Sequence, residues 1–301
     1  MKKFMCALSI LLPFAAITIA LVSPTQEEPS GLGDTLAESP GEHWLGPRVL
    51  PRWKAEALEA DGKIPPGSYR HVGVSAYQIV RTHPVRPPGD ALAHVEALIR
   101  RSERGDANAT YEIHLAISEC RTLISDRADH LADSAQRVGA GRQFLEKAER
   151  VLRECELLVL NKAVYEVDWL TEAAAQGSQE AMVLYAGSPL AVFGTLERAV
   201  RDPQKIADWR RNASGYLSDL ARQGNVAALG ALADEYRYGR VVDADPVSAY
   251  AYSRALQRLN PHFVSTEMMK ELEGQLAQGE LIRANALSDG IYDNCCKKQG
   301  G

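Results

Sequence analysis

A short motif that occurs three times constrains this chain more than any other feature. Ala221-Arg222-Gln223-Gly224-Asn225-Val226-Ala227-Ala228 has the form A-x-x-G-x-x-x-A, and Ala174-Ala175-Gln176-Gly177-Ser178-Gln179-Glu180-Ala181 has the same form. Ser102-Glu103-Arg104-Gly105-Asp106-Ala107-Asn108-Ala109 repeats it with Ser for the first Ala. A small residue lets two helices approach closely, a glycine accepts a left-handed turn, and the later alanine faces the preceding helix. The motif therefore predicts helix–turn–helix pairs, with Gly105, Gly177 and Gly224 in turns and Ala109, Ala181 and Ala228 in helix contacts. Gly105 and Gly177 stand 72 residues apart, twice 36, which suits a unit in the size range of stacked helical repeats. Gly177 and Gly224 stand 47 apart, a spacing that requires an inserted loop.

Helical periodicity begins at Asp90, which can cap a helix holding Leu92, Val95, Leu98 and Ile99. After Gly105-Asp106 a second helix runs through Tyr111, Ile113, Leu115, Ala116 and Ile117. Further helices are predicted over 127–138, 142–160, 163–176, 179–186, 190–201, 204–222, 226–238, 246–258 and 265–287. Composition agrees: aromatics are only 7 %, while Ala, Leu, Glu, Arg and Gln, which lose little rotamer freedom in a helix, are plentiful. The expected fold is all-α, an αα-hairpin repeat solenoid.

The segment from Ala221 continues beyond its turn with Gly224, Ala228, Leu232-Ala233, Tyr236, Gly239, Val242, Asp245, Ala249 and Tyr252. This series resembles Sel1-like repeats, a branch of the tetratricopeptide-type helical solenoids. It departs from that pattern where Val241 replaces the second loop glycine and Ala233 the glycine after leucine. Trp169-Leu170-Thr171-Glu172-Ala173-Ala174, with Gly177 and Ala181, matches the end of one unit and the start of another. That unit then loses the pattern at Gly187-Ser188-Pro189, and the Gly105 segment lacks the loop altogether. The likeness covers about residues 95–258, within a repeat domain read as 91–260 and followed by a capping helix and polar tail at 261–301. It implies that Tyr236 and Tyr252 fill the groove between helices, and that the protein assembles complexes by binding protein or peptide on a helical surface.

The first residues carry a separate message. Lys2-Lys3 precede an apolar run over residues 4–22, so residues 1–23 read as an export signal, cleaved or retained as a single membrane anchor. Either outcome places the remainder outside the cytoplasm, in the periplasm of a bacterium, soluble or tethered. Residues 24–90 hold most of the prolines and cannot sustain long helices. Residues 24–42 read as a spacer. The remainder, with Trp44, Trp53, Tyr69, Tyr77 and Ile79, is too apolar for a pure linker. It reads as a strap packing on the first helices of the body, with a short helix at 53–60 and an extended segment at 72–80.

The cysteines fit an oxidising address. Cys6 lies in the leader. Cys120 and Cys155 each fall in a helical segment and are expected to form a disulfide. Cys295 and Cys296 are adjacent, and a bond between them closes a strained ring, so they are read as free, bonded elsewhere or reversibly joined.

The sequence holds no recognisable reaction centre. There is no GxxxxGK[ST] loop, no GxGxxG after a strand, no HExxH and no G-x-S-x-G. No cysteine has a zinc-ligand spacing from another cysteine or a histidine, and no cofactor or metal is expected. The histidines are scattered: His43, His71 and His83 in the strap, His94, His114 and His130 on helices, and His262 after Pro261. The formal charge of −5, or −7 without Lys2 and Lys3, gives no electrostatic reason to expect nucleic acid. The expected activity is non-enzymatic protein binding in the cell envelope, with the binding residues open and no small-molecule substrate. The alternative is an immunity-type inhibitor of a secreted toxin. An enzyme with its site in the strap at 43–83 is the third reading, and a pocket joining His71 or His83 to an acidic residue is what it requires.

Overall fold

The computed structural model describes residues 54–82, 84–124 and 127–296. The expected leader, the spacer, Trp44, Trp53, Cys6, His43 and His83 lie outside the described residues. Within them, a short helix, α1 (Lys54–Ala60), is followed by an antiparallel hairpin of β1 (Tyr69–His71) and β2 (Tyr77–Ile79), in which Arg70 faces Gln78. The helical body then opens with the pair α2 (Ala91–Ser102) and α3 (Ala107–Ile124). Next come α4 (Arg127–Arg137), α5 (Gly141–Leu160) and α6 (Lys162–Tyr165). A second pair is α7 (Trp169–Gln176) and α8 (Gln179–Gly187), followed by α9 (Pro189–Phe193) and α10 (Leu196–Arg201). The third pair is α11 (Pro203–Arg222) and α12 (Val226–Tyr238), and the body closes with α13 (Pro246–Leu259), α14 (Thr266–Glu273) and α15 (Gln278–Cys295).

The three motifs make the three pairs. Gly105, Gly177 and Gly224 all have positive φ, at 87°, 102° and 85°. Ala109, Ala181 and Ala228 are fully buried, so each packs in the helix contact that its place after the turn predicts. The residue after the second and third glycines caps the next helix: Ser178 and Asn225 accept hydrogen bonds from the amides of Ala181 and Ala228. Ser102 replaces alanine in the first motif, and its hydroxyl is not left unsatisfied in the buried turn. It lies 2.6 Å from the Thr110 hydroxyl, which donates to Gln176 Oε1 at 2.5 Å.

Successive helices pack in the order α2, α3, α7, α8, α11, α12, α13, α15, so the pairs form one continuous stack. Tyr236 and Tyr252 lie between α12 and α13 with rings stacked at 5.6 Å. The loop joining those helices is closed by Glu235, a buried carboxylate that accepts from the Val241 amide at 3.0 Å and pairs with Arg240 at 2.6 Å. Val241, which stands where the repeat pattern has glycine, is itself buried.

The 72-residue interval does not hold two stacked units, contrary to the expectation from its length. Helix α3 packs directly on α7, and α5 folds back onto α2 and α3. Val151, Cys155 and Leu158 form its buried stripe against Val95, Ile113 and Ile117. Cys120 is joined to Cys155 across this contact, with 5.7 Å between Cα atoms. Arg86, whose side chain is 3 % exposed, bridges the same two helices, 3.0 Å from Glu119 and 2.7 Å from Glu154. In the 47-residue interval the extra chain is α9 and α10.

Three stretches predicted as single helices are each divided. The segment 163–176 breaks before Asp168, whose carboxylate caps α7 through the Thr171 amide. The segment 190–201 breaks at Gly194, with φ 76°, and 265–287 breaks between Gly274 and Ala277. In each case the apolar spacing continues across the break, so periodicity alone gives no sign of it.

The strap reaches further than its predicted contact with the first helices. Gly62 lies beside Asp106 at the first turn, the carbonyl of Lys63 accepts from the Gln179 amide at the second, and the Tyr77 amide donates to the Gly224 carbonyl at the third. Gly73 approaches the Cys296 carbonyl at the end of α15. One ribbon thus crosses the turn end of every pair. Beneath it, Ala55, Leu58, Ile64 and Tyr77 make a small apolar cluster.

Candidate functional site

The strap covers one end of α7 and α11. At their other ends, where the inserted elements leave the stack, the surface opens into a groove of about 810 Å³. Four pieces of chain wall it. Helix α3 provides His114 near its middle and Arg121 in its last turn, the α6–α7 turn provides Glu166 to Trp169, the end of α9 provides Phe193 and Gly194, and the start of α11 provides Asp202 and Lys205. Val167, Asp168 and Trp169 also line a second recess of about 700 Å³ that runs along α7 toward Glu172 and Gln176.

Most polar atoms of the groove wall are already engaged. Trp169 Nε1 donates to the Val164 carbonyl at 2.8 Å, which fixes the indole. Asp168 accepts from both the amide and the hydroxyl of Thr171, at 3.1 and 2.7 Å, and Asp202 accepts from the Lys205 amide at 3.0 Å. Both carboxylates thus cap helix N-termini, where the backbone amides favour negative charge. The cations differ. Arg121 donates to the Tyr165 carbonyl and lies 4.9 Å from the centre of the Tyr165 ring. The Lys205 ammonium lies 5.8 Å from the centre of the Phe193 ring. Among the described residues neither is paired with a carboxylate.

His114 stacks on Tyr111 at 6.0 Å, and its Nε2 lies 3.3 Å from the Ser118 hydroxyl. Burial first, then the charge of Arg121, lowers its pKa to about 4, with Asp168 opposing. An imidazole of that pKa is neutral at pH 7 but a weak base. Among the described residues no carboxylate hydrogen bond orients it, and such a bond is what activates a serine nucleophile in a Ser–His pair.

The other chemistry-bearing residues are dispersed. His71 is in β1, edge-on to Tyr69 at 5.4 Å, and among the described residues no ion pair joins it to an acidic group. His130 is exposed on α4. Among the described residues no three His, Cys, Asp or Glu side chains gather to hold a metal. Cys295 and Cys296, read from sequence as free, bonded elsewhere or reversibly joined, are bonded to each other at the end of α15, both 2 % exposed. Tyr77 and Gln179 form the centre of a buried polar network under the strap. The Tyr77 hydroxyl donates to Gln179 Oε1 at 2.7 Å, Asn225 Nδ2 donates to the same oxygen at 3.0 Å, and Gln179 Nε2 donates to Gln223 at 3.0 Å.

Sequence reasoning left the binding residues open and did not find the groove. Its one signal was the irregular spacing of the motif glycines, since both extra segments end at this wall.

No family model matches the sequence, and no curated protein matches it. Among solved structures the chain is similar to a protective antigen present in uropathogenic Escherichia coli strains, described as displaying an SLR fold. Identity is 19 % over 69 % of this chain and 44 % of that one, with a TM-score of 0.33. The chain thus spans less than half the length of that protein. What it shares with Sel1-like repeats rests on its own residues: three helix pairs turned at Gly105, Gly177 and Gly224, with a buried alanine after each turn.

Proposed function

We propose that the protein is an exported protein-interaction module that receives a segment of a partner protein in the groove between α3, α7, α9 and α11. One observation supports this above the rest: the two segments that break the repeat spacing, 124–168 and 188–202, end at the same groove. Insertions in stacked repeats fall on one face, which is commonly the binding face, because the stack tolerates extra chain where helices leave it. The strap occupies the other ends of the same helices, so that side is already covered by the chain itself. The Cys120–Cys155 disulfide supports an oxidising compartment. Among the described residues no helix is long and apolar enough to cross a membrane. Residues 4–22 are proposed as the element that exports the chain and either tethers it or is removed.

The test is site-specific photocrosslinking in the native cell. A benzophenone side chain replaces Val167, 41 % exposed at the groove, or Ile282, 66 % exposed on α15 as the control. A discrete adduct from position 167 and none from 282 is the expected result. Equal or absent labelling at both positions contradicts the reading.

A further inference from the structure

The chain carries two disulfides of different kinds. Cys120–Cys155 spans a sequence separation of 35, so it restrains the unfolded chain and serves as a staple. Cys295–Cys296 spans a separation of 1. A bond across a single peptide link closes no length of chain, and loop closure is what gives a disulfide its hold on the unfolded state. Its effect is therefore local, at the end of α15.

That end is covered. Cys295 closes the last turn of α15, and the Cys296 amide donates to the Tyr292 carbonyl at 2.8 Å. Both cysteines are 2 % exposed. The tip of the strap hairpin, residues 72–76, comes up against them. The Val72 and Gly73 amides both donate to the Ala76 carbonyl, at 2.9 and 3.2 Å, which folds the tip tightly. On one side the Ser75 carbonyl lies against Gly224, in the third motif turn. On the other, a Cβ on Gly73 would stand 2.9 Å from Leu259 Cδ1 and 3.1 Å from the Cys296 carbonyl oxygen. The tip is thus wedged between that turn and the cysteine pair. Its fit on the cysteine side depends on the course of the 295–296 link, which the sulfur bridge restrains by tying two adjacent side chains together.

We propose that Cys295–Cys296 is a reversible redox-modification site that fastens the strap: closed it seats residues 72–76, and opened by a dithiol protein it releases them. A thiolate of the dithiol attacks one sulfur, the Cys295–Cys296 bond breaks and a mixed disulfide forms. The second thiol of the reductant then displaces that bond, and the reductant leaves as its own disulfide. Two electrons and two protons pass to Cys295 and Cys296, which become thiols, and a disulfide-donating protein reverses the exchange. Because both cysteines are buried, the reductant reaches sulfur only when the tip or the last turn of α15 lifts. Lifting the tip and opening the bond therefore favour each other by the same factor, as linkage requires. The site is separate from the groove between α3, α7, α9 and α11, so its test leaves the docking reading untouched.

The experiment uses the full chain in buffers of graded reduced-to-oxidised dithiothreitol ratio. Differential alkylation with peptide mass spectrometry reads each cysteine pair, and hydrogen exchange reads residues 72–76. Cys295–Cys296 is expected to open at a ratio where Cys120–Cys155 stays closed, with exchange at the tip rising about fivefold or more. Gly73→Ala, whose Cβ presses the tip off α15, should raise the reduced fraction of Cys295–Cys296 at a fixed ratio and leave Cys120–Cys155 unchanged. Cys295→Ala with Cys296→Ala keeps only Cys120–Cys155, and its tip should exchange like that of the reduced parent with or without dithiothreitol. The measurement on the parent needs no substitution, so it stands even where a variant does not fold. A Cys295–Cys296 bond that stays closed until Cys120–Cys155 opens, or that opens with no change over 72–76, overturns the proposal. A reduced fraction unmoved by Gly73→Ala in a folded protein does the same.

Discussion

The hydroxyl of Tyr77 donates to the side-chain oxygen of Gln179 at 2.7 Å, joining residues 102 positions apart. Tyr77 is 2 % and Gln179 1 % exposed, so neither group has water to fall back on. Tyr77→Phe removes the donor and leaves Gln179 Oε1 with Asn225 as its partner. The expected loss is about 1–2 kcal/mol in urea unfolding, the cost of one buried hydrogen bond whose acceptor stays partly satisfied. A loss below about 0.5 kcal/mol would show that this network does not hold the strap.

Gly224 and Gly105 share a positive φ but not a neighbourhood. A Cβ on Gly224 would lie 2.3 Å from the Ser75 carbonyl oxygen, whereas one on Gly105 meets nothing within 4 Å. Gly105→Ala carries only the conformational strain, about 1 kcal/mol. Gly224→Ala must also push the strap backbone away, and its cost is expected to be at least about twice as large. Faster amide exchange across 69–80 should accompany Gly224→Ala and be absent from Gly105→Ala. Equal costs for the two variants would contradict the close approach.

Acid and alkali act on different buried groups. The lowered pKa of His114, about 4, means the unfolded chain binds a proton that the folded chain refuses between its ordinary 6.5 and 4. Its contribution is present above pH 6.5 and is lost as pH falls through 4. Burial raises Tyr77 and Tyr111 to about 12 from 10.0, with hydrogen bonds to Gln179 and Asn225 opposing in Tyr77. Their contribution is full below pH 10 and is lost as pH rises from 10 toward 12. His114→Phe should flatten the acid limb of the stability profile and leave the alkaline limb in place, as read by thermal melts across pH.

Cys120 and Cys155 close a loop over a sequence separation of 35. Chain-entropy arguments give about 3–4 kcal/mol for a loop of that length. The double replacement by Ala should lower stability by up to that amount. Hydrogen exchange should rise first in α4 and α5, the second of which is still held to the body by Val151, Leu158 and the Arg86 bridge. Uniform destabilisation with no excess exchange over 127–160 would show that the inserted hairpin is held by packing alone.

The turns were legible in sequence because a glycine turn and its following alanine are local requirements, satisfied within eight residues. The Asp90 cap and the Cys120–Cys155 pair were legible for related reasons, one local and one set by two helical segments. The path of α5 was not. A helical segment of the length of α4 and α5 can stack between two units or fold back on one, and only the contact of α3 with α7 distinguishes the outcomes. The groove was hidden more deeply, because its walls come from four segments that no spacing rule relates.

Stacked repeats usually feel only their neighbours, so an end unit can peel away while the middle survives. A ribbon hydrogen-bonded at Gln179 and Gly224, and lying close against Asp106 and the Cys296 carbonyl, removes that freedom, since loosening one pair pulls on its attachment to the rest. Its fixed reach also acts as a ruler: duplicating or deleting one pair would leave the ribbon too short or too slack. The number of units here is thereby set by a part of the chain that is not itself a repeat.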